Sequence, residues 1–360
     1  MLSEFEKISF ESVSNDSKFI NGVKLIELRS DTFTKPSKEM LEAMFSAEVG
    51  DDVFEEDPTT ARLEKKAAKI FGYEAGLFCV SGTMANQIAI NIHVKAGDEV
   101  ICDRLSHIYL YEGGGIAANS QASAELLVGD RGRISAAQIE EVIKENNVYC
   151  PISKLVSLEN TVNKGGGSIY QFTELERIKH ICLKHGLMLH LDGARLFNAL
   201  VETVESALMY GKIFDSISIC LSKGLGTPVG SVLMGSSEFI KTARRVRKRF
   251  GGGWRQSGYL AAAGIFALDN NILRLKDDHI MARELGAILK NKTEVYEVLP
   301  VDTNIVIFKL EKGLSAGDYV KHLALKGILA APFGKDLVRM VTHLDFTEDD
   351  LAEFRTRIKT

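Results

Sequence analysis

Long apolar runs are missing from this 360-residue chain: no stretch reaches the roughly 20 residues that a membrane-crossing helix needs. The opening MLSEFEKISF has neither the basic start nor the apolar core of a secretion signal, which points to the cytoplasm. Cysteine is sparse and odd in number. Cys79, Cys102, Cys150, Cys182 and Cys220 are widely spaced and mostly set among apolar neighbours. That pattern excludes a disulfide framework and fits reduced, buried thiols. There is no CxxC pair, no HExxH helix and no P-loop, so the common zinc and nucleotide motifs are absent and no metal is expected. An excess of positive charge is missing as well. The 44 Lys and Arg stand against 48 Asp and Glu, a net charge of −4, so neither nucleic acid nor an anionic membrane is an expected partner. The six cations of KTARRVRKRF at 241–250 read as a solvated helix face or a subunit contact.

What is present is a soluble α/β pattern. Residues 1–25 are polar and mixed and read as a surface arm. From Ala75 onward, short apolar runs alternate with segments of helical period: GLFCV (76–80), EVICDR (99–104), AELLV (124–128), KLVSLE (154–159), LMLHLD (187–192), DSISICLS (215–222) and GSVLMG (230–235). Strands of this length with helical connections predict a largely parallel sheet covered on both faces. Only KGLGTPV separates the last two runs, too short for a helical crossover, so one strand there is predicted antiparallel. A long or broken helix over 257–292 leads into a smaller α/β unit. This divides the chain into a large domain, 26–275, and a small one, 276–360.

In such a sheet ligands bind beyond the carboxyl ends of the strands. The residues that follow the predicted strands are Ser81-Gly82-Thr83, His107, Asn160, Asp192 with Arg195, and Lys223. Each alone has a plain reading: Ser-Gly-Thr is an ordinary helix cap and a lone histidine is usually structural. A carboxylate ending an apolar strand needs a partner, however, and a lysine at the end of one is rare unless used. Together they supply what a pyridoxal phosphate enzyme requires. An amine forms an imine with the aldehyde, a carboxylate pairs with the pyridine nitrogen, a helix start holds the phosphate, and an imidazole stacks on the ring.

The chain also resembles the L-threonine aldolases of the β-eliminating lyase group, from about Ile26 to Phe354. The resemblance rests on LRSDT (28–32), GDDVFEEDPT (50–59), SGTMANQ (81–87), SHIYLYEGG (106–114), LENTVN (158–163), LDGARLFNA (191–199), CLSKGLGTPVGS (220–231), GGGWRQSG (251–258) and RMVTHLD (339–345). It implies an aspartate-aminotransferase-like fold with a mainly parallel seven-stranded sheet and a small C-terminal domain. It also implies pyridoxal phosphate as cofactor and a homo-oligomer, dimer or tetramer, with shared active sites. Position by position, Lys223 matches the imine-forming lysine, Asp192 the partner of the ring nitrogen and His107 the stacked imidazole. Ser81, Gly82 and Thr83 match the phosphate turn. Arg195 matches a residue near the ring hydroxyl and the substrate carboxylate, which Ser30 and Arg339 also grip. Tyr111, Glu112 and Tyr149 match positions on the substrate side, and Lys248 and Arg255 match cations near the site. Three positions depart from the family pattern: Phe54-Glu55 replaces Tyr-Gly, Val162 replaces an imidazole, and Tyr149 stands where a histidine is usual near the β-hydroxyl. The implied reaction is retro-aldol cleavage of an L-β-hydroxy-α-amino acid to glycine and an aldehyde. A β-eliminating lyase or a racemase would use the same cofactor residues.

Overall fold

A computed structural model of the chain describes residues 19–20 and 23–359; the predicted arm therefore lies largely outside the described residues. The strands of the large sheet are β1 (Ala75–Cys79), β2 (Asp98–Asp103), β3 (Ser123–Leu127), β4 (Ile152–Glu159), β5 (Met188–Gly193), β6 (Ser216–Cys220) and β7 (Ser231–Gly235). They lie side by side as β1-β7-β6-β5-β4-β2-β3. All neighbours pair in parallel except β7, which runs antiparallel to both β1 and β6. The short KGLGTPV connection enforces this, since only an antiparallel strand can return so quickly. Strands β2, β6 and β7 are buried along their whole length. Helices on both faces therefore exclude water from the sheet, and the ladder hydrogen bonds go unchallenged.

Six helices fix the geometry used below: α1 (Pro58–Phe71), α2 (Gly82–His93), α3 (Phe172–His185), α4 (Ser237–Arg249), α5 (Gly258–Asn270) and α6 (Leu275–Leu289). The long helix predicted over 257–292 is thus broken in two at 271–274. A second sheet, ordered β8-β9-β11-β10, comprises β8 (Val295–Val298), β9 (Ile305–Leu310), β10 (Ala331–Pro332) and β11 (Leu337–Val341). It has its own core around Phe308, Val338, Met340 and Phe354. Ile26 and Leu28 belong to this second core, whereas the sequence division set the large domain to start at 26. Parallel pairing of Ile26–Glu27 with Ile328–Leu329 is the reason. Helix α6 serves both cores: Leu275 packs with the large one, while Ala282, Leu285 and Leu289 pack with the small one.

Candidate active site

The site is assembled at the carboxyl edge of the large sheet. Ser81 caps α2, its hydroxyl accepting the Met84 N–H at 3.1 Å. The N–H groups of Gly82 and Thr83 keep no partner among the described residues, so the helix start offers two free donors and its dipole to an anion. Glycine at 82 is a steric requirement: a Cβ there would lie 2.6 Å from Cys220 Sγ. The same contact sets the turn against the end of β6, three residues before Lys223.

Lys223 is half-buried, and its amine has no hydrogen-bond or ion-pair partner among the described residues. Its loop, in contrast, is held firmly. Gly226 N–H donates to the Lys223 carbonyl at 2.8 Å. From the α5–α6 junction, Asn271 Nδ2 donates to Leu225 O at 2.8 Å and Arg274 Nη1 to Gly224 O at 3.2 Å. Arg274 also pairs with Asp278, whose buried carboxyl is pushed up to about 7 by burial, against the pull of that guanidinium.

Asp192 ends β5, buried, opposite Glu159 on β4 and Ser218 on β6. Its Oδ1 accepts the Ala194 N–H at 3.0 Å and its Oδ2 accepts from Asn86 Nδ2 at 2.9 Å. The other Asn86 amide contact is to Glu112 Oε1 at 3.0 Å, and Glu112 in turn bonds His107 Nδ1 at 2.9 Å. Burial disfavours the imidazolium, but the Glu112 hydrogen bond and the charges of Asp192, Glu112 and Glu159 outweigh it, so the His107 pKa is raised. Glu159 fixes the backbone of this corner by accepting the N–H of His107 at 2.8 Å and of Asn163 at 2.9 Å. Burial and the neighbouring Asp192 push its carboxyl up to about 7.

The third group lies where the small domain meets the large. Arg195 donates through Nε and Nη2 to both carboxylate oxygens of Asp31, each at 2.7 Å, with both side chains buried. Burial alone would raise the Asp31 pKa, but the charge and hydrogen bonds of Arg195 hold it well below the carboxylate range. Arg339, on β11, donates to Asn163 Oδ1 at 2.8 Å and Arg29 O at 2.9 Å. Its Nε is buried without a partner. Burial and the positive charge of Arg195 lower its pKa to about 10. Of the two guanidiniums only Arg195 binds Asp31, and Arg339 reaches it through charge alone, leaving a net positive corner with an unused donor, suited to a second carboxylate. Ser30 stands beside Asp31, its hydroxyl accepting the Thr32 N–H at 3.3 Å.

The structure brings together Ser81, Gly82, Thr83, His107, Asp192, Arg195, Lys223, Ser30 and Arg339 along this edge. Tyr111, half-exposed, tilts over His107 with ring centroids 5.6 Å apart. Glu112 differs from its expected substrate-lining place. Its side chain is fully buried beneath the imidazole, with Gln87 Nε2 donating to Oε2 at 2.7 Å, so it orients His107 from below. Tyr149 is 93% exposed and precedes the first residue of β4, at the sheet edge opposite Glu159. The length of that strand separates it from this chain's site. Arg255 is exposed and pairs with Asp51 at 2.8 Å, while Lys248 lies over the Gly253 loop; neither contacts Asp192, His107 or Lys223. Val162, the second departure from the family pattern, is 1% exposed and packs in the core against Gly132. Phe54, another of the departures, is 70% exposed. Sequence reasoning missed Asn86, Asp31 and Glu159. For Asn86 a signal existed, since two adjacent amides in the apolar stretch of α2 need buried partners.

Pyridoxal phosphate fits this arrangement. Free N–H groups at a glycine turn, an amine without a competing partner, a buried carboxylate at a strand end and an imidazole fixed at its far nitrogen each meet one requirement of the group. The chain matches the family "Beta-eliminating lyase" over residues 27–312. It is 41% identical to the low specificity L-threonine aldolase of Escherichia coli over 332 residues, 91% of this chain and 97% of that protein. With the Saccharomyces cerevisiae low specificity L-threonine aldolase it shares 40% identity over 337 residues, 92% and 85% of the two chains. Among solved structures, a threonine aldolase from Leishmania major superposes with a TM-score of 0.79 at 23% identity, covering 92% of this chain and 98% of that one. A serine palmitoyltransferase from Sphingomonas wittichii gives 0.74 at 18% identity, covering 94% and 88%, which shows how widely this fold is used. On the family match and these relatives, the chain belongs to the β-eliminating lyase family.

Proposed function

We propose that this protein is a pyridoxal phosphate-dependent aldolase that cleaves an L-β-hydroxy-α-amino acid of the L-threonine or L-allo-threonine type to glycine and an aldehyde. The observation that carries this reading is the convergence of Asp192, Lys223 and the Gly82 turn on one edge, beside a net positive corner. When bound, the cofactor supplies an electron sink conjugated to the substrate Cα. The chain's own residues do the rest. Lys223, half-buried and with its amine unengaged among the described residues, would hold the cofactor. Arg339 and Ser30 take the α-carboxylate, and because the Arg195 fork is bound to Asp31, its part is to hold that corner rigid and positive. Gripping the carboxylate would fix the orientation of the substrate about Cα, and with it the choice of the bond that breaks. His107 presents Nε2 to the open side, because Nδ1 is bound to Glu112, and removes the β-hydroxyl proton directly or through a water.

The β-eliminating lyase and racemase readings share the cofactor residues and are separated by product. Purified protein with added pyridoxal phosphate is assayed against L-threonine, L-allo-threonine and L-phenylserine. Aldehyde and glycine in equal amounts support aldol cleavage; ammonia and a keto acid, or inverted substrate, overturn it. No helix among the described residues is long and apolar enough to cross a membrane, and all five cysteines are unpaired, which supports a cytoplasmic setting. Phe45, 83% exposed, and the outward Arg255 support a homo-oligomer, with Lys248, Arg255 and Tyr149 acting across a subunit boundary.

A further inference from the structure

We infer that Asn86 is a positioning residue for the cofactor, one amide that fixes both the carboxylate facing the ring nitrogen and the carboxylate behind the stacked imidazole. The inference rests on the cofactor assignment above. Asn86 is 1% exposed and every polar valence it has is used. Its Nδ2 reaches Asp192 Oδ2 at 2.9 Å and Glu112 Oε1 at 3.0 Å, and its Oδ1 accepts from Ser218 Oγ at 2.6 Å and meets His190 Nε2 at 3.2 Å.

The proton arrangement of this chain follows from chemistry alone. The reversed amide would aim its oxygen at two carboxylates, so the N–H groups must face Asp192 and Glu112. His190 must then donate from Nε2 and accept at Nδ1 from Ser216 Oγ, 2.8 Å away, which in turn accepts from His93 Nε2 at 2.8 Å. Burial keeps both imidazoles neutral, pulling His190 down to about 3 and His93 down to about 4. The result is a one-directional row of donors, His93 to Ser216 to His190 to Asn86, that ends on the two acids. Such rows polarise each member towards its acceptor. A neutral donor between Asp192 and Glu112 also prevents the two acids from sharing a proton, as close carboxyl pairs otherwise do. The charged or titratable groups around the amide are Asp192 and Glu112 in contact, His190 behind it, and His107 and Glu159 beyond the two acids.

The test is the affinity of the full-length protein for pyridoxal phosphate at pH 6 and pH 8, each variant referred to wild type at the same pH. Asn86→Leu removes the donor, and binding is expected to weaken about tenfold at both pH values. Asn86→Asp places three carboxyls together. Its binding is expected to be about thirtyfold weaker at pH 8 and to recover several-fold at pH 6, where a bound proton again supplies a donor. A merely structural role predicts equal weakening by both variants with no pH difference, and that result overturns the inference, as does wild-type affinity in either variant. If both variants melt below the assay temperature, Ser218→Ala decides: it deletes only the hydroxyl that orients the amide. Binding about threefold weaker supports the inference, and unchanged binding overturns it. Wild-type protein that binds no pyridoxal phosphate defeats the cofactor assignment itself, a different result from insensitive variants.

Discussion

Two arginine–aspartate pairs of nearly the same length show how differently this molecule treats its floor and its rim. Arg195 and Asp31 meet at 2.7 Å with side chains 5% and 0% exposed, whereas Arg255 and Asp51 meet at 2.8 Å with 60% and 23% exposed. The first pair is bidentate, shut away from water and braced by Asn304; removing one partner strands a buried charge. The second is solvated, screened and free to exchange partners. The buried floor of the chain is thus fixed by its own partners, while the rim carries cations in solvated, weakly held pairs.

The harshest challenge to the floor is Lys223→Ala. It is expected to abolish the imine absorbance band and lower turnover by about a thousandfold or more; substantial turnover without the band would break the picture. Asp31→Ala leaves Arg195 unpaired and is expected to destabilise the chain by about 3–5 kcal/mol, read by denaturant unfolding. Glu112→Gln probes the imidazole. Activity needs neutral His107, so it falls as pH drops through a raised pKa; the variant is expected to move the acid limb of kcat/KM to lower pH and reduce the maximum about tenfold. Asp278→Asn is read through stability. A carboxyl raised to about 7 in the fold, from an ordinary 3.8, contributes stability below the ordinary value that is lost as pH climbs through about 7. The melting temperature of the variant relative to wild type should therefore rise between pH 5 and 8. The mildest change, Arg255→Ala, should leave the melting temperature within about 2 °C. A large loss of activity at unchanged stability would sharpen the comparison by assigning Arg255 to a neighbour's site.

Much of the floor was legible in the sequence, because apolar runs mark the strands and the polar residues closing them mark the edge where ligands bind. Asp192 and Lys223 stand out as charges at the ends of apolar strands, and the antiparallel β7 follows from seven connecting residues. Asn86 was hidden inside a helix, where an amide carries no sign of which strand it faces. Asp31 was hidden because its partner lies 164 positions away. Tyr149 is the converse case: resemblance puts it on the substrate side, while a residue three positions before β4 lies at the amino edge of the sheet, the length of that strand from Glu159.

Helix α6 ties two functions into one mechanical coordinate. Its C-terminal half packs with the core of the sheet that carries Arg339, and the junction at its start holds the carbonyls of Gly224 and Leu225. Any shift of the sheet that carries Arg339 would be transmitted along α6 to the loop that carries Lys223. One helix thus joins the sheet of Arg339 to the loop of Lys223.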